Sequence, residues 1–365
     1  MTGRIALFGA TGYTGALILE SLLARGLAPT VVGRNGPAIA DLAERHGLEH
    51  AVADVTDPAS VRRAAQRHDV LISTVGPFER HGVSIARAAA ETGAHYLDTT
   101  GEVTFVRTLK QRYHDRARAT GAVMLPAFGY DYVPGNLAGT LAARQGGDGV
   151  RNLDIGYFAT GPLRRGLSHG TRATMRDGLT LPSLLWHQHR FVNERTASSV
   201  HTFAIGNRRK AAFLVSGSEV LFLPETFLGL GSVRVYNGWF PTLSWGMPAV
   251  SATANSAARH AWGRRLIDTL TNPLLGPPGG PDAHERAGTR THVVAVASDD
   301  SGNTPIAEVH LAGPSIYNLT AELIAWAGHQ LATRTDLTPG VTGPVQAFGL
   351  DTLRQGGAEI GLTLA

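Results

Sequence analysis

The segment Gly9-Ala10-Thr11-Gly12-Tyr13-Thr14-Gly15, set directly behind the apolar run Ile5-Ala6-Leu7-Phe8, constrains the fold more than any other part of this chain. Glycines at this spacing, between a short strand and the amphipathic stretch Ala16 to Gly26, read as a phosphate-binding strand-to-helix turn. The first glycine permits a tight exit from the strand, and the second removes a side chain where backbone must approach a pyrophosphate. The third lets the helix pack close on the sheet, with the helix N-terminus facing the anion. The spacing Gly-x-x-Gly-x-x-Gly is a variant of Gly-x-Gly-x-x-Gly, and a turn that only packs a helix on a sheet gives the same letters. Its place behind a strand and ahead of a helix favours a dinucleotide held by Gly9, Thr11, Gly12, Tyr13, Thr14 and Gly15.

The first third of the chain continues in the same style. Strand candidates Ile5-Ala6-Leu7-Phe8, Thr30-Val31-Val32, Ala51-Val52-Ala53, Val70-Leu71-Ile72-Ser73, His95-Tyr96-Leu97 and Ala122-Val123-Met124-Leu125 alternate with segments of helical composition. Alternation of this kind predicts right-handed crossovers and an α/β, Rossmann-type, doubly wound parallel sheet over residues 1–135. From Asn136 the alternation gives way to longer strands with glycine turns, among them Leu153 to Phe158, Val200 to Ile205 and Thr291 to Ala297. The turn Ser298-Asp299-Asp300-Ser301-Gly302-Asn303 joins the last of these to Ile306 to Leu311 as a hairpin. We therefore expect a second, α+β domain over 136–335, built on a mainly antiparallel sheet and serving substrate binding and dimerisation. Residues 336–365 are expected to return to the first domain.

In a doubly wound sheet ligands lie beyond the carboxyl ends of the strands. After the second strand comes Gly33-Arg34-Asn35, where an NAD enzyme would place an acid for the ribose 2′-hydroxyl. Arg34 instead offers a planar cation suited to a 2′-phosphate, so Arg34 and Asn35 point to NADP(H). After the third strand, Asp54 and Val55 lie at the adenine side; Asp54 suits the adenine amino group and equally a helix cap ahead of Pro58. Gly76-Pro77 gives a rigid turn after the fourth strand, either holding the nicotinamide ribose or simply turning the chain.

Several chemistries are excluded by residue content. The chain has no cysteine, hence no disulfide, thiolate metal site or thiol nucleophile. Neither Lys110 nor Lys210, the only lysines, has a tyrosine four residues ahead, as a short-chain dehydrogenase would require. The histidines are dispersed, the close pair His187 and His189 lacks a His-Glu-x-x-His context, and no Gly-x-Ser-x-Gly follows a strand of the opening sheet; no metal is expected. The net charge of +4 is spread over scattered arginines, which does not suggest nucleic acid. The uncharged stretch between Arg234 and Arg259 is broken too often by Asn, Pro and Gly to cross a membrane, and reads as buried or pocket-lining, with surface contact with lipid as the lesser alternative. With no secretory pattern at the start, cytoplasm is the default expectation.

The strand-end segments Thr74 to Phe78, Asp98 to Glu102 and Ala127 to Tyr132 are left to surround the nicotinamide. Tyr130 and Asp131 are the catalytic candidates, suited to supply or orient a proton beside a transferred hydride; Asp131 suits equally a cap on a helix starting near Pro134.

Together these segments resemble the saccharopine dehydrogenase-like family, and within it the bacterial trans-acting enoyl reductase branch. The resemblance rests on Gly9 to Gly15, Val32-Gly33-Arg34-Asn35, Val75-Gly76-Pro77-Phe78 with Gly82, His95 to Glu102 and Gly129-Tyr130-Asp131-Tyr132-Val133-Pro134. Tyr317 to Glu322 and Gly340-Val341-Thr342-Gly343-Pro344 extend it toward the end of the chain. It implies an NAD(P)H-dependent oxidoreductase, often a homodimer, with a Rossmann domain and an inserted mixed α/β domain. Members of the branch reduce carbon–carbon double bonds of carrier-bound polyketides; founding members reduce an imine between an amino acid and an oxo acid.

The apolar and aromatic segments Leu179 to Trp186 and Tyr236 to Phe240, with Leu243 and Trp245, suit a lipophilic acyl group, small or carried on a protein. They suit core packing equally. Imine reduction would need paired arginines for carboxylates, for which Arg164, Arg165, Arg172 and Arg176 are available. A protein that binds NADP without turnover is the third reading.

Overall fold

In the computed structural model the described residues are 3–161, 167–275, 279–302 and 304–365. They fall into two compact units, Met1–Val133 with Tyr317–Ile360, and Pro134–Ile316 with Gly361–Ala365.

The chain opens with β1 (Ile5–Phe8), α1 (Tyr13–Ala24), β2 (Thr30–Gly33), α2 (Gly36–His46), β3 (His50–Val52), α3 (Pro58–Ala65), β4 (Val70–Ser73), α4 (Phe78–Thr92), β5 (His95–Asp98), α5 (Val103–Thr120) and β6 (Val123–Leu125). Next come α6 (Val133–Gly146), β7 (Asn152–Thr160), α7 (His169–Gly178), β8 (Pro182–His187), β9 (Arg190–Arg195), β10 (Val200–Ile205), β11 (Arg208–Val215), α8 (Glu219–Thr226) and β12 (Ser232–Asn237). Helices α9 (Pro241–Ser244), α10 (Met247–Ala258), α11 (Ala261–Leu275) and α12 (Ala283–Ala287) precede the hairpin β13 (Arg290–Ser298) and β14 (Pro305–Gly313). The chain closes with α13 (Ile316–Thr333), β15 (Gly340–Val341), α14 (Pro344–Phe348), α15 (Leu350–Glu359) and β16 (Thr363–Leu364).

The first unit is built on a parallel sheet of order β15-β6-β5-β4-β1-β2-β3. Strands β1 and β4 are buried along their whole length, as uninterrupted apolar strands covered on both faces must be. Strand order reverses between β1 and β4, so the crevice between their carboxyl ends is the ligand position of this architecture. The sheet has one strand beyond the six in the sequence: β15 pairs with β6, and at two residues it carries no periodicity to detect. Helix α13 also belongs to this unit, where Trp326 stacks on Phe128 and meets Phe348 edge-on.

The second unit carries a mixed sheet, β10-β11-β12-β7-β13-β14-β16, with the hairpin β8–β9 joined to β12. Its pairs are antiparallel except β12 with β7. The last strand, β16, pairs here with β14, so the final residues do not follow β15 into the first sheet.

Two local expectations are corrected. Asp57, not Asp54, caps the helix that begins at Pro58, accepting the Ala59 N–H at 3.1 Å. The uncharged stretch after Arg234 is buried through β12 and Trp239, but from Leu243 onward α9 and α10 run on the surface, leaving Leu243, Trp245 and Val250 exposed. Absence of charge predicted burial, but short helices packed by one side leave apolar residues on the other. Asn303 of the hairpin turn, and Arg164 and Arg165, lie outside the described residues.

Candidate functional site

The glycine turn has the geometry its spacing implies. Gly9 lies in the left-handed region at φ +83°, and a side chain there would stand 2.5 Å from Thr74 Oγ1. A Cβ on Gly15 would lie 2.2 Å from the Gly9 carbonyl oxygen, so only glycine lets α1 start this close to β1. The Gly12 N–H donates to the Gly9 carbonyl at 2.9 Å and closes the turn. As N-cap of α1, Gly12 supplies no side-chain cap, and the first turn holds no acid. Thr11 and Gly12 are exposed, while Tyr13 and Thr14 are half-buried. An uncapped helix N-terminus of this kind suits an anion, and the first turn of α1 holds no competing carboxylate.

Thr74, at the end of β4, ties this cradle to the next strand. Its hydroxyl donates to the carbonyls of Phe8 and Gly9 at 3.1 and 3.2 Å, and its N–H to Phe8 at 3.0 Å. Sequence reasoning grouped Thr74 with the strand-end residues but gave it no role; a hydroxyl residue directly after a buried strand was the available signal.

At the end of β2, Arg34 is exposed and its neighbour Asn35 caps α2, accepting the Ala38 N–H at 3.2 Å. The Asp54 carboxylate accepts the N–H and hydroxyl of Thr56 at 2.8 and 2.7 Å, with Val55 inside that turn. These bonds, and then the nearby Arg34 and His81, hold the Asp54 carboxyl below its usual range. Arg34 and Asp54 therefore share one rim, where the guanidinium is available to an added anion.

Gly76-Pro77 leads into α4 through a cis peptide bond. Pro77 offers no cap, and Glu102 from the β5–α5 turn fills the role: its Oε1 accepts the Phe78 N–H at 2.8 Å and its Oε2 the Glu79 N–H at 2.9 Å. Of the two helix N-termini beside the crevice, α4 is thus closed by a carboxylate and α1 is open. No local pattern of residues shows that Glu102 reaches across to another helix.

Asp98, wholly buried at the end of β5, accepts the N–H of Thr100 and of Ala127. Burial pushes its carboxyl up to about 6, against the lowering pull of those two donors. The loop after β6 begins at Ala127, φ +57°, and is tied to Gly101 through the Tyr132 hydroxyl at 2.9 Å. Tyr130 is 1% exposed, and its N–H donates to the Thr320 hydroxyl at 3.1 Å. Asp131 is half-buried, and desolvation pushes its carboxyl up to about 7. The structure thus places Tyr130 and Asp131 in one loop braced by Asp98, Gly101 and Thr320.

In the second unit, Leu184, Leu185 and Tyr236 are buried and Trp186 is half-buried. Leu185 and Tyr236 belong to a core cluster with Phe158 and Phe203. His187 closes β8, and His189 lies in the left-handed turn to β9, so the pair flanks a hairpin corner. Of the arginines offered for a carboxylate, Arg176 donates to Asn272 Oδ1 at 2.8 Å. No cluster of metal-binding side chains occurs among the described residues, nor any helix long and apolar enough to cross a membrane.

Residues 9–113 match the NAD(P)H-binding family profile. A Mycobacterium tuberculosis protein of the trans-acting enoyl reductase group is 34% identical over 191 residues, 49% of this chain and 45% of its own length. The trans-acting enoyl reductase of Mycobacterium ulcerans is 31% identical over 200 residues, covering 52% of this chain and 48% of its own. The chain thus spans about half the length of the curated relatives it matches. Apo saccharopine dehydrogenase (L-Glu forming) from Saccharomyces cerevisiae superimposes over 100% of this chain and 99% of its own, with a TM-score of 0.63 at 12% identity, and so shares its fold. This chain has a saccharopine-dehydrogenase-like NAD(P)-binding fold and is related to the bacterial trans-acting enoyl reductases.

Proposed function

We propose that this chain is an NADPH-dependent reductase of an activated carbon–carbon double bond in an acyl or polyketide-like substrate, small or carrier-bound. One observation carries the reading: the uncapped N-terminus of α1 opens at the switch point of a parallel sheet, in a chain related over about half its length to trans-acting enoyl reductases. The absence of side chains at Gly9, Gly12 and Gly15 fits a pyrophosphate on the cradle, and Arg34 fits a 2′-phosphate at the rim.

NADPH, when bound, supplies the hydride for the β-carbon. The chain's own task is to position the acyl group, to donate a hydrogen bond to its carbonyl oxygen, and to deliver a proton to the α-carbon. Asp131, with its carboxyl raised to about 7, holds a proton near neutral pH and is the proton source in this reading. Tyr130, in the same braced loop, is the donor to the carbonyl oxygen. The second unit is proposed to receive the substrate and to form a homodimer.

The test is NADPH oxidation with a panel of enoyl thioesters and a second panel of oxo acids with amines. Turnover of the thioesters supports the reading. Turnover confined to the second panel makes the protein an imine reductase, and tight NADPH binding with neither makes it a non-catalytic binder.

A further inference from the structure

The most unusual surface of the second unit is the outward side of α9, α10 and α11. Leu243 is 63%, Trp245 66%, Val250 51%, Trp262 64% and Leu266 47% exposed. Helix α10 contains no charged residue, and Ser251 is its one buried position. Its inner side is fixed by the Ser251 hydroxyl donating to the Thr196 carbonyl and by Asn255 Nδ2 donating to the Leu179 carbonyl at 2.9 Å. On α11, exposed Trp262, Leu266 and Thr269 follow one face at i, i+4 and i+7, and that helix is held to α7 through Arg176 and Asn272. A helix facing only water ordinarily carries charge on that side.

Between Arg234 and Asp268 the sequence contains no acidic residue. Among the described side chains of α10, α11 and the link between them, the exposed charged and titratable groups are Arg259, Arg265 and His260, whose ring stacks on Trp262 at 6.0 Å, and Arg195 of β9 reaches α10 by donating to the Pro248 carbonyl at 2.9 Å. We propose that this face docks on an anionic phospholipid surface, with α10 and α11 lying in the interfacial plane, Trp245 and Trp262 at headgroup level, and Arg259 and Arg265 on the lipid phosphates. The site is independent of the reductase reading.

Two observations favour lipid over other occupants. Apart from Val250, the exposed side of α10 carries only the small residues Ala249, Ala252, Thr253 and Ser256, little relief for a protein partner to grip, whereas a fluid bilayer needs none. A second copy meeting this face about a twofold axis would bring the Arg259 and Arg265 guanidiniums toward their own copies.

The test is co-sedimentation of the full chain with phosphatidylcholine vesicles, with and without phosphatidylglycerol, alongside tryptophan emission. The expected result is a blue shift and partitioning about tenfold stronger on the anionic vesicles. Trp245→Ser with Trp262→Ser should lower partitioning about tenfold, and Arg259→Glu about fivefold, with NADPH affinity and thermal unfolding retained. Leu243→Ser with Leu266→Ser is a second pair that should act in the same direction. Wild-type protein remaining in the supernatant overturns the proposal, as does vesicle binding that the tryptophan pair leaves unchanged. Self-association, or binding of an acidic carrier protein, that depends on this face without vesicle binding overturns it as well.

Discussion

Asp98 and Ala127 stand at the ends of neighbouring strands and are joined inside the first unit: Asp98 Oδ1 accepts the Ala127 N–H at 2.8 Å. The same oxygen accepts the Thr100 N–H at 2.9 Å, and the Asp98 carbonyl accepts the Phe128 N–H at 2.9 Å. One buried carboxyl therefore sets the turn after β5 and the loop that carries Tyr130 and Asp131. Asp98→Ala leaves two buried N–H groups without an acceptor and is expected to cost about 3 kcal/mol, whereas Asp98→Asn keeps an acceptor and should cost about 1 kcal/mol. Urea unfolding of the two variants checks the order; equal losses would remove Asp98 from this bracing role.

Asp131 predicts a pH dependence of stability. Its folded value of about 7 lies above the ordinary 3.8, so the folded protein holds this proton more tightly than the unfolded chain. The contribution is therefore fully present below about pH 4 and is lost as pH rises through about 7. Asp98, raised to about 6, acts in the same direction. Asp131→Asn is expected to flatten this decline and, near pH 8, to be more stable than the parent by about 2 kcal/mol while losing most turnover. Denaturant titrations across this range measure the slope; a variant that keeps the parent's slope contradicts the assignment.

Gly15→Ala places a Cβ 2.2 Å from the Gly9 carbonyl, a backbone atom that cannot move without the turn. The expected loss is about 2–4 kcal/mol of stability together with dinucleotide binding. Thermal unfolding and NADPH fluorescence titration read the two effects, and an alanine variant that binds NADPH normally would refute the close approach.

Arg34→Ala should weaken NADPH binding by about tenfold or more and leave NADH binding nearly unchanged, since only the 2′-phosphate loses a partner. Titration with both cofactors decides it, and unchanged NADPH affinity would sink the preference.

Glu102→Ala removes the carboxylate that caps α4 and is expected to cost about 1–2 kcal/mol. Because α4 follows Gly76-Pro77, turnover should fall more than NADPH affinity; a fall in affinity alone would place Glu102 outside the reaction site.

Elements that rest on local rules are legible in the order of residues alone. Buried parallel strands announce themselves as short apolar runs, and the turn at Gly9 to Gly15 is legible because sterics leave glycine no substitute at Gly15. The hairpin at β13 and β14 followed from turn chemistry and alternation. Relations between residues distant in the chain come from the folded arrangement. Glu102 caps a helix that starts 24 residues earlier, and Thr320 reaches Tyr130 from a helix 190 residues later. The tertiary fold also decided which apolar residues are covered. Tyr236 and Trp245 look alike in a hydropathy profile, yet one lies in a sheet core and the other in solvent. Burial depends on what packs against a side chain, and that neighbour is supplied by the fold and not by adjacent sequence.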